Sequence, residues 1–262
     1  MICGREDRNQ PMSVSTYLPE LVDIPNKLEH GRRVHEGYQR GAGLQFGDLE
    51  KKIRADPVYR KAFKAGGGRS ILAADNQFNL FLIMRFFLAR LPHGHIVEFG
   101  AYRGGNAIFM AAVASQILPD VRVYALDTFE GMPETDKSKD AHDQGDFADV
   151  DLAELESYVS QLGLSNLVFR KGLFQDTAAA VLEEAGAVSL AHIDCDVYSA
   201  VAYSYDVVRE FMVPGGYLVF DDATVSTCMG ATEVVEDHLV RRDGLSSEQI
   251  YPHFVFRAPG GS

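Results

Sequence analysis

The sequence has 262 residues, 46% of them hydrophobic and 24% charged, with a formal net charge of -12. A chain of that length holds one large α/β domain and buries a real core without disulfides. The acidic balance excludes a basic stripe for nucleic acid and a polybasic surface for an anionic membrane.

Residues 1–65 are polar and weakly periodic, punctuated by Pro11, Pro19, Pro25 and Pro57. Short helices over 47–54 and 57–64 are expected there, covering another element rather than forming a core. Gly66-Gly67-Gly68 marks a turn. Ser70 stands where it would N-cap a long amphipathic helix over 71–90. The apolar run from Phe78 to Leu91 is broken by Arg85 and Arg90, too short and too charged to span a bilayer. The opening residues, Met1-Ile2-Cys3-Gly4-Arg5, lack the apolar run of a secretory signal. Cys3, Cys195 and Cys228 are odd in number, widely spaced and free of any CxxC, which fits reduced thiols in the cytoplasm rather than a disulfide framework or a zinc site.

From His95 the pattern changes. Short apolar runs alternate with helical stretches, as in βαβ units. Strands are expected at 95–99, 121–126, 166–170, 188–193 and 216–221. Helices are expected at 105–117, 151–162, 175–185, 199–211 and 230–241. Two further strands, near 248–251 and 253–257, would close a mostly parallel, seven-stranded sheet with an antiparallel edge hairpin. The division expected is a helical extension or lid over 1–92 and a ligand-binding α/β domain over 93–262. Such sheets bind ligands beyond the carboxyl ends of their strands.

The first strand runs into Val97-Glu98-Phe99-Gly100-Ala101-Tyr102-Arg103-Gly104-Gly105-Asn106. A glycine turn opening a helix lets a ligand approach the backbone. Tyr102 occupies the second glycine position of a dinucleotide fingerprint, where its side chain would block a pyrophosphate. Asn106 and Ala107 break a phosphate-binding loop. S-adenosylmethionine (SAM) has no phosphate, and Glu98 is suited to its methionyl amino group. Asp127, closing the second strand, is suited to the ribose hydroxyls. The competing reading is a nucleotide-type loop that holds no ligand.

The fourth strand ends in Asp194-Cys195-Asp196 and the fifth in Asp221-Asp222. Adjacent parallel strands would gather Asp194, Asp221 and Asp222, whose mutual repulsion a cation relieves. Hard oxygen donors suit Mg²⁺, a Lewis acid for an acceptor hydroxyl. The competing reading makes such aspartates helix caps, and for Asp196 capping is the expectation. Residues 127–156 hold eleven acidic residues against Lys137 and Lys139, a long segment read as a lid or binding loop. It carries His142, a candidate general base or a solvated loop histidine.

These motifs resemble the macrocin O-methyltransferase family. Glu98 to Gly105 resembles its E-x-G-x-x-R-G-G loop. Asp127-Thr128-Phe129-Glu130-Gly131-Met132-Pro133 is similar to its D-[ST]-F-x-G-x-P, and Gly172-Leu173-Phe174-Gln175-Asp176-Thr177 to its G-x-F-x-D-T. Asp194-Cys195-Asp196-Val197-Tyr198 resembles D-x-D-x-Y, and Gly215 to Asp222 resembles G-G-x-x-x-x-D-D. The likeness runs over roughly residues 95 to 257, with the motifs in order.

The resemblance implies a Rossmann-like class I SAM-dependent methyltransferase fold and a Mg²⁺-dependent O-methyltransferase. Its acceptor would be a small-molecule hydroxyl, commonly on the sugar of a natural product. The implied cofactor-binding set is Glu98, Gly100, Tyr102, Arg103, Gly104, Asn106, Asp127, Thr128, Gly172, Phe174 and Asp194. The implied metal ligands are Asp194, Asp221 and Asp222. The family's base is a histidine after D-[ST]-F-x-G-x-P, which maps to His142, although Asp140-Ala141-His142-Asp143 matches poorly there. His192 is the fallback, expected to point into the sheet. Tyr17, Tyr38, Phe46 and the helix around Phe78 would shape the acceptor pocket, against a reading of plain aromatic packing. Members often self-associate, but no sequence feature here demands it. Two rivals remain at this point: an NAD-dependent oxidoreductase, which Tyr102 opposes, and a non-catalytic SAM-binding module, which the acidic trio opposes.

Overall fold

The computed structural model describes residues 48–260 and, before them, Leu28–Glu29 and Arg32–Arg33. Contacts divide the chain into two units, Met1–Gly47 and Asp48–Ser262. In the first, β1 (Leu28–Glu29) pairs antiparallel with β2 (Arg32–Arg33), a strand pair within a stretch read as helical. Tyr17, Tyr38 and Phe46 lie outside the described residues.

The second unit is built on a six-stranded sheet in the order β5-β4-β3-β6-β7-β8. These strands are β3 (His95–Phe99), β4 (Val123–Asp127), β5 (Leu167–Lys171), β6 (Val188–Ile193), β7 (Met212–Phe220) and β8 (Phe254–Arg257). Neighbours from β5 to β7 run parallel, and β8 is antiparallel to β7. A parallel sheet is covered on both faces, which is why β3, β4 and β6 read as nearly unbroken apolar runs. Strand β3 lies between β4 and β6, so the winding reverses beside it and leaves a crevice at the carboxyl ends.

The helices are α1 (Asp48–Ala55), α2 (Pro57–Gly66), α3 (Ala74–Phe86), α4 (Gly105–Ile117), α5 (Leu152–Gln161), α6 (Phe174–Ala185), α7 (Tyr198–Val208) and α8 (Met229–Val234). Helix α8 continues as π-helical turns over Val235–Arg242. Helix α4 is buried at every position from Gly105 to Ala114. The sheet covers one side of it, and α2 and α3 cover the other. Tyr59 on α2 joins these layers, its ring 5.6 Å from Phe109, 5.3 Å from Phe81 and 5.5 Å from Phe78. The helices expected merely to cover another element therefore supply core residues, Ile53 and Tyr59 each being 2% exposed. Helix α2 starts as its sequence dictates. Pro57 opens it, and Asp56 Oδ1 accepts from the N–H of Val58 at 2.7 Å.

Two expectations are corrected. Ser70 does not cap α3, which begins at Ala74 with Ala73 in the cap position; Ser70 Oγ accepts from Leu72 N in a local turn. The strand expected at 248–251 is reduced to a bridge between Gln249 and Val255, so the sheet has six strands among the described residues. Ser247 and Gln249 spend their side chains on carbonyls within the turn, and Pro252 has no N–H to extend a ladder.

Candidate active site

The crevice beyond β3 is a cleft of about 420 Å³. Its floor is the turn between β3 and α4. Gly100 holds φ 94°, and a Cβ there would collide with the carbonyl oxygen of Asp194. Tyr102 also adopts a left-handed backbone, φ 46°. That conformation aims its N–H at Asp127 Oδ2, 2.8 Å away, while Phe129 N donates to Oδ1 at 2.6 Å. Burial raises the Asp127 pKa, with these backbone hydrogen bonds pulling the other way. The first two strand ends are thus tied together by one carboxylate at the edge of the cleft.

Beneath the turn lies a buried polar set. Glu98, 1% exposed, accepts at Oε1 from Asn106 Nδ2 (2.6 Å) and pairs with His192 Nδ1 (3.1 Å). Glu98 Oε2 and Asn106 Oδ1 are both buried acceptors with no hydrogen-bond partner. Both residues line the cleft. Buried polar atoms normally find partners. Two orphan acceptors on one wall, one of them a carboxylate, complement a cationic multi-donor group such as an ammonium.

The carboxylates converge as the strand order requires. Asp194 follows β6, and Asp221-Asp222 follow β7. One oxygen from each of the three lies within 4.8 Å of the others. Burial, then repulsion from Asp221 and Asp222, pushes Asp194 well above the usual carboxylate range. Burial, then Asp196 and Asp221, does the same to Asp222. Asp221 shifts down although burial opposes it, because His192 and His253 hydrogen-bond its carboxylate. Its Oδ1 takes His253 Nδ1 at 3.1 Å, Asn76 Nδ2 at 2.8 Å and His192 Nε2 at 3.5 Å. His253 is anchored in turn by Asn79 Nδ2 at 2.8 Å from its Nε2. An all-oxygen trio in which the Asp221 charge raises the pKa of both Asp194 and Asp222 fits a hard divalent cation such as Mg²⁺.

The acidic segment is docked onto the α7–α8 side. Asp140 is buried, and its Oδ1 accepts from Tyr198 N at 2.9 Å, capping α7. Lys139 sits 3.4 Å from the centre of the Tyr198 ring and pairs with Glu233. The segment also grips the glycine turn: Asp149 takes Tyr102 Oη at 2.6 Å and the Arg103 guanidinium, and Phe147 stacks edge-on to Tyr102. Asp196 does not cap α7 as expected. Val197 holds that position, and Asp196 has φ 62°, which turns its carboxylate toward His142 and Cys228. Its N–H donates to Asp222 Oδ2 at 2.8 Å.

Of the residues singled out in the sequence, Glu98, Gly100, Tyr102, Asn106, Asp127, Thr128, Phe174, Asp194, Asp221 and Asp222 line the cleft. Arg103, Gly104, Gly172 and His142 stand outside its lining. Arg103 turns to Asp149, Gly104 precedes the first turn of α4 with φ 70°, and Gly172 N donates to the Asp127 carbonyl. His142 Nε2 stands 3.6 Å from Asp196 Oδ1, and Asp196 does line the cleft. His192 is fully buried inside the sheet, held by Glu98 and Asp221. Asn76, Asn79 and His253 were missed. The only sequence signal for the two asparagines is polarity on the buried side of α3.

Known proteins resemble this chain in sequence and in fold. The family model for macrocin O-methyltransferase matches residues 83–243. The 8-demethyl-8-(2,3-dimethoxy-alpha-L-rhamnosyl)-tetracenomycin-C 4'-O-methyltransferase of Streptomyces olivaceus is 29% identical over 58% of this chain and 62% of its own length. Mycinamicin III 3''-O-methyltransferase of Micromonospora griseorubida is 28% identical over 60% of this chain and 64% of its own. The chain therefore spans less than two thirds of either relative. The O-methyltransferase NovP superposes with a TM-score of 0.64 at 18% identity, over 94% of this chain and 99% of its own, a likeness of fold.

Proposed function

The chain belongs to the macrocin O-methyltransferase family, and on that premise we propose that it moves the methyl group of SAM to a hydroxyl of a small molecule, on the sugar of a natural product. Membership sets aside the oxidoreductase reading. The observation that carries the proposal is the pair of orphan acceptors, Glu98 Oε2 and Asn106 Oδ1, on residues that line the same cleft as the carboxylate trio. They are the complement of the methionyl ammonium. Asp127 and Thr128 would meet the ribose, and Phe174 with the Tyr102 backbone would bound the nucleoside. Gly100 allows close approach.

Asp194, Asp221 and Asp222 would hold Mg²⁺, which when bound supplies Lewis acidity toward an acceptor oxygen. The acceptor proton leaves through Asp196, which faces the cleft, with His142 behind it to share the charge. This keeps the histidine of the acidic segment in the proton path but puts a carboxylate in front of it. Much of the acceleration comes from aligning oxygen, carbon and sulfur for direct displacement. Arg69 to Ala73 and Asn76 line the same cleft, which supports an acceptor-shaping role for the part of residues 1–92 that packs with the sheet. Buried, unpaired Cys195 and Cys228 support a reducing, cytoplasmic setting. No helix among the described residues is long and apolar enough to cross a membrane.

The test is thermal stabilisation by S-adenosylhomocysteine and, separately, NAD, each with Mg²⁺ or EDTA. A ligand at a hundred times its Kd stabilises by about 2.7 kcal/mol. A rise with S-adenosylhomocysteine alone, enlarged by Mg²⁺ in the native protein but not in Asp222→Asn, is the expected result. A rise only with NAD, or no rise at all, would overturn it. Turnover of any acceptor separates an enzyme from a silent SAM-binding module.

A further inference from the structure

Beside the carboxylate trio is a second cluster of different chemistry. His142 Nε2, Cys228 Sγ and Asp196 Oδ1 form a triangle with sides of 3.7, 3.5 and 3.6 Å. Zinc bonds of about 2.3 Å to sulfur and 2.0–2.1 Å to nitrogen or oxygen, held at tetrahedral angles, place ligand atoms about 3.3–3.6 Å apart. The three atoms therefore already sit close to one face of a zinc tetrahedron. The donor set of one thiol, one imidazole and one carboxylate is that of a borderline-soft ion, not of Mg²⁺.

A second observation concerns the other imidazole nitrogen. His142 Nδ1 is 3.2 Å from Asp146 Oδ2. A carboxylate there puts the ring proton on Nδ1 and leaves the Nε2 lone pair pointing at Cys228 and Asp196. This is the outer arrangement that metal-binding histidines use. The ligands come from three places: the acidic segment, the end of β6 and the residue before α8. The site would fasten that segment to the sheet edge.

We propose that His142, Asp196 and Cys228 form a zinc-class metal site, separate from the Asp194–Asp221–Asp222 trio, with a fourth position left for water. Binding costs the Cys228 thiol its proton, which passes to solvent, and the thiolate, imidazole and carboxylate each donate one lone pair. Nothing is oxidised or reduced. On the reading that Asp196 and His142 receive the acceptor proton, an ion there occupies both, and the metal inhibits methyl transfer.

Cobalt(II) is the probe. Full-length protein titrated with Co²⁺ in chelator-treated buffer containing excess Mg²⁺ is expected to develop a thiolate-to-cobalt band in the near ultraviolet. Intense visible bands of four-coordinate cobalt should accompany it, saturating at one equivalent and displaced by Zn²⁺. Cys228→Ala should lose the near-ultraviolet band, and Asp194→Asn should keep it. Absence of the band from the native protein, or its persistence in Cys228→Ala, would overturn the site. Should Cys228→Ala fail to fold, X-ray absorption of the native zinc adduct decides. One sulfur and one imidazole in the shell support the site, and an all-oxygen shell overturns it.

In turnover, one equivalent of Zn²⁺ should slow the native enzyme at least tenfold and leave Cys228→Ala unaffected. Undiminished turnover with the cobalt band fully formed would overturn the inhibition. Native protein that methylates no acceptor would sink the methyl-transfer reading instead, and the spectral results would still decide the site.

Discussion

At the scale of single residues, Glu98 does two jobs with its two oxygens. Oε1 holds Asn106 and His192 in place, and Oε2 waits for a donor. Glu98→Gln keeps an acceptor for the first job and loses the charge for the second. A hydrogen bond to a charged group is worth about 1.5–3 kcal/mol. The Kd for S-adenosylhomocysteine by calorimetry should therefore rise roughly 10–100-fold, with the melting temperature of the free protein little changed. An unchanged Kd would remove Glu98 from the donor site. The sequence made Glu98, Asp127 and the aspartate trio legible because each ends a strand of a parallel sheet, where topology places ligands. It left Asn76 and His253 hidden. Asn76 is 145 positions from Asp221, and only the packing of α3 and β8 onto the sheet brings them together. No local spacing encodes that meeting. Asp196 was misjudged because capping is a local rule, and its left-handed backbone is set by the tertiary bond to Asp222.

At the scale of elements, the turns after α8 end in a charged clamp that the apolar pattern does not announce. Asp243 receives Arg242, Tyr205 Oη at 2.7 Å and Arg209 at 2.8 Å, fixing this end against α7. The hydrogen bonds from Arg242 foremost, with Tyr205 and Arg209 helping and burial opposing, hold its pKa well below the usual carboxylate range. A depressed carboxylate pKa gives stability that is fully present above the unfolded value of about 3.9 and fades as pH falls toward the folded one. Asp243→Asn should cost about 1–2 kcal/mol at pH 7. The gap between variant and native protein should narrow below pH 4 in denaturant titrations. A gap independent of pH would show the clamp to be packing alone. The same limit of pattern reading explains the lost strand at 248–251: side chains consumed the carbonyls and Pro252 ended the ladder.

At the scale of the whole molecule, the layer order was only half legible. Alternating strand and helix patterns gave the parallel sheet and five of its six strands nearly residue for residue. The third layer was not visible, because α1 and α2 are short and polar on one side. Their role emerges only against α4, which is apolar all round. Phe109, at the middle of that sandwich, is fully buried against Tyr59. Phe109→Ala should destabilise by about 3–5 kcal/mol, read as a shift in denaturant midpoint. A much smaller loss would mean that α2 and α3 are loosely applied rather than part of the core.

The position of β8 has a consequence for how the molecule is made. Glu98, on the first strand of the large sheet, and His253, just before the last, both belong to the network around Asp221. A chain emerging from a ribosome can pair β3 through β7 and bury most of the sheet before His253 is synthesised. Until β8 adds to the edge, Asp221 lacks one of its three partners. A chain stopped after Tyr251 should therefore still bind S-adenosylhomocysteine on the β3–β4 side, yet gain no stability from Mg²⁺. On the proposed function, newly made molecules would carry the methyl donor before they could use it.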